Sequence, residues 1–239
     1  MSAQLDILRS RLRAYADPAK ARLLAGFFKT GPGQYGEGDV FLGIMVPQTR
    51  AVVREFRDLP LSDIAEFLAS EYHEERLCAL LLLVQRFGRG DQAERKRIYR
   101  FYLDHTARIN NWDLVDLSAP NIVGEYLAEA TASGTVLVRL AHSRDLWRRR
   151  IAVLATFAFI KRGRHVPTFN IAHILLEDRH DLIHKAVGWA LREVGKQIGQ
   201  DVEEEFLKKY YRRMPRTMLR YAVERFPRRL YDAYLDGRI

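Results

Sequence analysis

The sequence predicts an all-α protein built from repeated pairs of helices. Three observations support this prediction: apolar residues recur at helical spacing along most of the chain, strand-like alternation is absent, and glycine and proline fall between the periodic segments. The chain has 239 residues, of which 48% are hydrophobic, so it can bury a substantial core. We expect one folded domain over residues 1–239.

Start signals place the first helices along the chain. Asp17 followed by Pro18 is typical of an N-cap and a first helical position, and predicts a helix over residues 19–29. The glycine-rich segment 30–39 (TGPGQYGEGD) follows it and lacks the GxxxxGK[ST] pattern, which predicts a flexible connector and not a phosphate-binding loop. Further helices are expected to begin at Pro47, Leu61-Ser62 and Pro120.

A helix pair recurs in the later part of the chain. Each copy has an apolar helix, a short polar turn and a second apolar helix led by a basic residue. The copies are residues 61–87, 136–159, 169–194 and 202–226, with leading residues Arg76, Arg150, Lys185 and Arg216. The last two intervals between these residues are 35 and 31 residues. This period predicts a right-handed solenoid of HEAT-like antiparallel helix pairs, whose second helices line a concave groove.

The charge balance indicates a polyanionic partner. Lysine and arginine number 39 against 30 acidic residues, a formal net charge of +9. Nucleic acid is the first candidate and an acidic membrane the second. Against the membrane, no apolar run approaches the roughly 20 residues that a spanning helix needs. A basic residue at the same place in each repeat would make the concave groove basic and suited to duplex DNA. The alternative is that these cations are ordinary solvent-facing residues.

Other features exclude several classes of site. The single cysteine, Cys78, lies in an apolar run and is expected to be a buried structural thiol, which excludes an intrachain disulfide. His180 and His184 have i, i+4 spacing but no third ligand, so we expect solvated or capping roles and no metal site. The first 20 residues lack an apolar signal-peptide core, which predicts a cytoplasmic protein.

Residues 110–116 (NNWDLVD) are the most informative segment for function. A helix here places Trp112 and Asp116 one turn apart on the same face. Downstream, Trp189 lies one turn before Arg192 in a second helix. Indole rings, a carboxylate and arginines suit a cationic, aromatic substrate joined to an anionic backbone. The alternative is that both tryptophans are core residues.

Three segments resemble the AlkD-like DNA glycosylases, the HEAT-repeat DNA alkylation repair family. They are NNWDLVDLSAP (110–120), LWRRRIAVL (146–154) and HKAVGWALREVGK (184–196), within a resemblance that covers residues 41–226. The chain departs from related sequences at Asn111, where they often have an aromatic residue before the tryptophan. This departure bears on the lesion preference and on the fit of the groove.

The resemblance implies the roles of individual residues. Asp116 would be the catalytic carboxylate, Trp112 and Trp189 would flank the lesion, and Arg150 and Arg192 would contact the DNA backbone. Further candidates for phosphate contacts are Arg148, Lys161 and Lys185. Asp113 follows Trp112 directly and turns to another face, so we interpret it as a helix-dipole or arginine partner.

The implied activity is that of a monofunctional glycosylase acting in base excision repair. It would release cationic N3- or N7-alkylated purines, such as 3-methyladenine and 7-methylguanine, from duplex DNA without a cofactor or metal. We expect a monomer that associates with the nucleoid when it binds DNA. Two alternatives stay open: a non-catalytic relative that binds branched or damaged DNA, and a HEAT-type adaptor for an acidic protein or RNA.

Overall fold

The structure is a computed structural model that describes residues 2–129 and 134–239. Within this described part the chain forms helices and no strand, which confirms the all-α prediction. The chain divides into two compact units, one ending at Ser118 and the other beginning at Ala119. The single domain expected over residues 1–239 also includes Met1 and residues 130–133, which lie outside the described residues.

Helix α5 is the centre of the first unit. It packs against α3, α4 and α6, and α1 packs against α3. Its apolar run is buried and includes Cys78, as expected, and burial raises the pKa of that thiol. The helices of this unit are α1 (Ala3–Arg13), α2 (Pro18–Phe27), α3 (Val46–Glu55), α4 (Leu61–Leu68), α5 (His73–Arg89), α6 (Gln92–Asp104) and α7 (Trp112–Ala119), with a 3-10 turn at Thr106–Arg108. The last residue of α7, Ala119, is counted with the second unit.

The predicted start of α2 is confirmed. The Asp17 carboxylate accepts hydrogen bonds from the backbone N–H groups of Ala19 (3.0 Å) and Lys20 (3.1 Å), which satisfies two free donors of the first turn. Pro18 occupies the first helical position. The predicted starts of α3 and α4 are also confirmed, since the helices begin at Val46, directly before Pro47, and at Leu61.

Helix α13 is the centre of the second unit and packs against α10, α12, α14 and α15. A Cβ atom at Gly188 would lie 2.4 Å from the Met218 carbonyl oxygen, so the close approach of α13 to α15 requires glycine there. The elements of this unit are a π-helical turn (Pro120–Gly124), α8 (Glu125–Glu129), α9 (Gly134–Ala141), α10 (Leu146–Ala155), α11 (Phe157–Ile160), α12 (Val166–Ile174), α13 (Asp181–Gln197), α14 (Gln200–Tyr210), α15 (Arg216–Ala222) and α16 (Arg228–Leu235), with 3-10 turns at Tyr211–Arg213 and Val223–Arg225.

The repeat period is confirmed in the second unit. Helices α10, α13 and α15 begin at Leu146, Asp181 and Arg216, so both intervals are 35 residues. Two of these helices begin four residues before the predicted basic residue. The reason is local capping: the Asp145 carboxylate accepts backbone hydrogen bonds at the start of α10, and the His180 ring does so at the start of α13.

Among residues 2–129 and 134–239, every helix is too short or too polar to span a membrane.

Candidate functional site

Helix α7 carries the predicted carboxylate and one predicted tryptophan. The side-chain oxygen of Asn111 accepts a hydrogen bond of 2.8 Å from the backbone N–H of Trp112, which begins the helix. The segment is therefore helical as predicted, with Trp112 and Asp116 four residues apart and on one face. Both residues are partly buried.

An aromatic cluster supports Trp112. The indole stacks on Phe28, with ring centroids 5.0 Å apart and planes 12° apart. Phe28 in turn stacks on Phe41 at 4.9 Å. Phe27 contacts the indole edge-on at 5.9 Å and is 64% exposed, so one aromatic side chain beside Trp112 faces solvent. One face of the Trp112 ring is thus packed against the protein.

A buried ionic cluster lies next to this stack. We call it the His73 cluster, and it consists of Asp39, His73, Arg76, Asn111 and Asp113. The Nδ1 atom of His73 is 2.9 Å from Asp39 Oδ2 and its Nε2 atom is 2.8 Å from Asp113 Oδ2. Arg76 pairs with the other oxygen of Asp39, and the Asn111 amide donates to Asp39 at 2.9 Å. The cluster joins α5, α7 and the loop before α3.

His73 carries a positive charge in this cluster. Burial alone would lower the pKa of His73, but hydrogen bonds and charge from Asp113 and Asp39 outweigh burial and raise it from 6.5 to about 9. Burial would also raise the pKa of Asp39, yet His73, Arg76 and Asn111 hold it below its ordinary value. Both ring nitrogens of His73 therefore donate to carboxylates at neutral pH.

The loop between α2 and α3 is anchored to α5. The Glu74 carboxylate accepts hydrogen bonds from the backbone N–H groups of Leu42 (2.9 Å), Gly43 (2.8 Å) and Ile44 (3.1 Å). Gly43 has a φ of +84°, and a Cβ there would lie 2.1 Å from the Asp17 carbonyl oxygen. With Asp39 held in the His73 cluster, this loop is more than the flexible connector that its composition predicted.

Asp116 lies beside a neutral, buried tyrosine. The Tyr102 hydroxyl lies 2.8 Å from the Ser118 hydroxyl, which joins α6 to α7. Burial raises the pKa of the Tyr102 phenol, against the effect of the Ser118 hydrogen bond, and the negative charge of Asp116 raises it further. The Tyr102–Ser118 contact thus anchors α7 from α6, two residues beyond Asp116.

Trp189 is held by its own helix and by α11. Its Nε1–H donates to Glu193 Oε1 at 3.4 Å, and its ring meets Phe157 edge-on at 4.8 Å. Glu193 also accepts from the Gln197 amide at 2.7 Å. Burial would raise the pKa of Glu193, but the Gln197 hydrogen bond, Lys196 and the indole N–H keep it lower. Glu193 is therefore an ionised anchor for the indole.

The predicted basic residues of the second unit differ in exposure. Arg150 is only 5% exposed, and its Nη1–H donates to the Leu182 carbonyl at 2.7 Å, which joins α10 to α13. Arg148 and Lys161 are exposed. Lys185 pairs with Asp181 at 2.7 Å, and Arg192 pairs with Glu224.

Arg192 also lines a cleft of about 320 Å³ with Arg220, Tyr221, Glu224 and Tyr231. The cleft lies where α13 meets the C-terminal helices, one turn beyond Trp189 on α13. It combines two guanidinium groups and two phenols with a single carboxylate.

Comparison with known proteins settles the family. A family model described as DNA alkylation repair enzyme matches residues 8–226. The chain belongs to this family. A solved structure, a predicted DNA alkylation repair enzyme from Enterococcus faecalis, has the same fold with a TM-score of 0.69 at 18% identity, covering 89% of this chain and 97% of that one. No curated protein matches the chain.

Membership in the DNA alkylation repair enzyme family indicates a role in the repair of alkylated DNA, with DNA as partner. In this family member, the first unit holds Trp112 and Asp116 on α7. The second unit holds the other residues predicted from the sequence: Trp189, Arg148, Arg150, Lys161, Lys185 and Arg192.

The structure corrects the interpretation of Arg76 and decides between the two alternatives for Asp113. The repeat pattern predicts that Arg76 faces phosphates, but Arg76 is 3% exposed and forms an ion pair with Asp39. Its guanidinium group is therefore neutralised inside the protein and does not face DNA. Asp113 was interpreted as a helix-dipole or arginine partner. Asp113 lies in the first turn of α7, which agrees with the helix-dipole alternative, and its ionic partner is His73 instead of an arginine.

Sequence reasoning also missed the His73 cluster and Phe28. A weak signal was present, because His73 and Arg76 flank two glutamates at the start of an otherwise apolar helix. Polar residues that lead directly into an apolar run are candidates for buried ionic contacts. The prediction of a capping role for His180 is confirmed, since its Nδ1 accepts from the Leu182 N–H at 3.1 Å.

Proposed function

We propose that this protein is a monofunctional DNA glycosylase of base excision repair. It hydrolyses the N-glycosidic bond of cationic N3- or N7-alkylated purines, such as 3-methyladenine and 7-methylguanine, in duplex DNA. The observation that carries this proposal is a carboxylate and an indole, Asp116 and Trp112, on one face of a helix. Side-chain hydrogen bonds hold this helix near both ends, and the one near its C-terminal end is buried. Membership in the DNA alkylation repair enzyme family supports it.

The chemistry of the lesion explains why one carboxylate is enough. A purine alkylated at N3 or N7 carries a positive charge, so it leaves without protonation by a general acid. Ordinary glycosidases require a second carboxyl group for that step. The Asp116 carboxylate stabilises the oxocarbenium-like sugar as the bond to the base breaks, and it orients the attacking water. Water supplies the hydroxyl group on the sugar and releases its remaining proton to solvent, while the base keeps the electron pair of the broken C1′–N bond and leaves neutral.

The indoles suit the positive charge of the lesion. Trp112 and Trp189 pack against the deoxyribose and the damaged nucleotide, where their electron-rich faces attract the cation. Each ring is held in place beforehand, Trp112 by Phe28 and Trp189 by Glu193. Such preorganisation lowers the cost of ordering these side chains when substrate binds.

The basic residues of the second unit bind the DNA backbone in this proposal. Arg150 and Arg192 fix the duplex near the lesion, and the more exposed Arg148, Lys161 and Lys185 add phosphate contacts.

The reaction uses no metal or cofactor. Among residues 2–129 and 134–239, no group of three or more His, Cys, Asp or Glu side chains is placed to hold a metal ion.

The test is release of bases from methylated duplex DNA, with Asp116→Asn measured beside the wild type. We expect the wild type to release 3-methyladenine or 7-methylguanine, and the variant to lose at least about 100-fold in rate. Asp104→Asn is the matched control, because it makes the same change at an exposed residue of α6. Binding of duplex without release by the wild type would indicate a DNA-binding protein and overturn the proposal. Equal release by both proteins would overturn the role of Asp116.

A further inference from the structure

We propose that His73 is a positioning residue for the proposed site: its positive charge neutralises Asp113, so that Asp116 stays ionised one turn later on α7. The same cluster holds Trp112 in place. This inference rests on the proposed function, which it deepens by explaining how one short helix can hold two carboxylates beside an indole.

The need for a counter-ion follows from helix geometry. Asp113 and Asp116 are three residues apart on α7, where side chains are neighbours and like charges repel. Asp113 is only 6% exposed, so water screens its charge poorly. Its Oδ1 atom has no hydrogen-bond partner among the described residues. The hydrogen bond of 2.8 Å from His73 to Oδ2 is therefore the contact that compensates this carboxylate.

Within the cluster, His73 is the cation that contacts Asp113, while Asp39 contacts both His73 and Arg76. Two carboxylates, Asp39 and Asp113, face two cations, His73 and Arg76, so the cluster is neutral when all four are ionised. Arg76 contacts Asp39, and Arg108 also acts on the Arg76–Asp39 pair through its charge. The carboxylate of Glu74, the residue after His73 on α5, accepts hydrogen bonds from three backbone N–H groups of the loop before α3.

The cluster also holds Trp112 by two routes. Asn111 donates to Asp39 through its amide nitrogen and accepts from the Trp112 backbone through its amide oxygen. Phe28 lies between the two rings, with its centroid 5.0 Å from His73 and 5.0 Å from Trp112. A change at the imidazole is thereby transmitted both to the start of α7 and to the indole platform.

The experiment compares pH–rate profiles of base release for the wild type, His73→Gln, Asp113→Asn and the double variant. His73→Gln leaves Asp113 uncompensated, so the acid limb shifts to higher pH. Asp113→Asn leaves an extra positive charge, so the limb shifts to lower pH. Each shift is expected to be about one pH unit, and the double variant returns toward the wild type. A purely structural role predicts slower release at every pH with an unmoved acid limb, and that result would overturn the inference.

A second measurement separates this inference from the proposed function. Carbon-13 NMR follows the titration midpoint of the Asp116 carboxyl group in the same four proteins, with Asp116→Asn to assign the signal. Opposite shifts without base release would support the positioning role and refute the glycosylase. Base release with unmoved midpoints would refute the positioning role alone. If His73→Gln does not fold, the downward shift in Asp113→Asn and its reversal in the double variant decide the question.

Discussion

The indole of Trp112 lies flat on the phenyl ring of Phe28, with centroids 5.0 Å apart. Because this contact covers one face of the indole, only the other face can receive a nucleotide in the proposed site. Phe28 lies 45 residues before His73 and 84 residues before Trp112 in the sequence, yet its ring touches both side chains. The platform of the proposed site is thus made by the loop region after α2 as much as by α7.

Phe28→Leu should weaken this platform while keeping an apolar side chain in the core. Phe28 is buried, so we expect a loss of about 1–2 kcal/mol in unfolding free energy and a larger relative loss in base release. Urea unfolding and initial rates on methylated duplex measure the two effects. Phe27→Leu is the control: this ring is exposed, so its stability change should stay within about 0.5 kcal/mol. Equal effects at both positions would contradict a supporting role for Phe28.

His73 should make the protein less stable at alkaline pH. The pKa of His73 is raised from 6.5 to about 9 on folding, so its stabilisation is fully present below pH 6.5 and is lost as pH rises through 9. The change corresponds to about 3 kcal/mol in unfolding free energy. Urea unfolding of the wild type at pH 6 and pH 9.5 measures it. In His73→Gln this part of the pH dependence should disappear, and an undiminished slope would refute the assignment.

Glu203→Gln should stabilise the protein near pH 8. Glu203 lies in the first turn of α14 and is 2% exposed, and its Oε1 atom has no hydrogen-bond partner among the described residues. Burial, with the charge of Glu204, raises its pKa to about 9 against the effect of Arg192. Since the unfolded chain ionises near 4.5, the wild type loses stability as pH rises from 4.5 to 9.

The glutamine removes that loss, so the melting temperature should rise at pH 8 and change little at pH 4.5. Glu204→Gln is the matched control. Glu204 pairs with Lys208 at 3.0 Å, and its pKa is lowered, so its replacement should bring no gain at pH 8. A gain in both variants would indicate a general effect of surface charge and not the burial of Glu203.

Glu224→Gln should tighten binding to duplex DNA. Glu224 forms an ion pair with Arg192. Removing the Glu224 carboxylate makes the Arg192 guanidinium available to a phosphate. Fluorescence anisotropy at several salt concentrations should show a higher affinity and a salt slope steeper by about one. Glu177→Gln releases a different arginine, Arg213, and serves as the control. A lower affinity in Glu224→Gln would mean that Glu224 orients Arg192 and does not compete with DNA.

Features that depend on near neighbours in the chain could be predicted from the sequence. Asp17 caps α2 through N–H groups two and three residues away, and the helix that begins at Trp112 places Trp112 and Asp116 on one face. The 35-residue period reappears in the starts of α10, α13 and α15. Capping and helical periodicity act over a few residues, so pattern alone predicts them.

The roles of the charged side chains could not be predicted from the sequence, because they depend on how the helices pack. Asp39, His73 and Asp113 are separated by 34 and 40 residues in the chain, yet they share hydrogen bonds in one cluster. Arg76 is basic in sequence but buried against Asp39, and Glu203 is acidic in sequence but held protonated at neutral pH. The physical reason is that the state of a charge depends on desolvation and on partners distant in sequence, which form only when the helices pack.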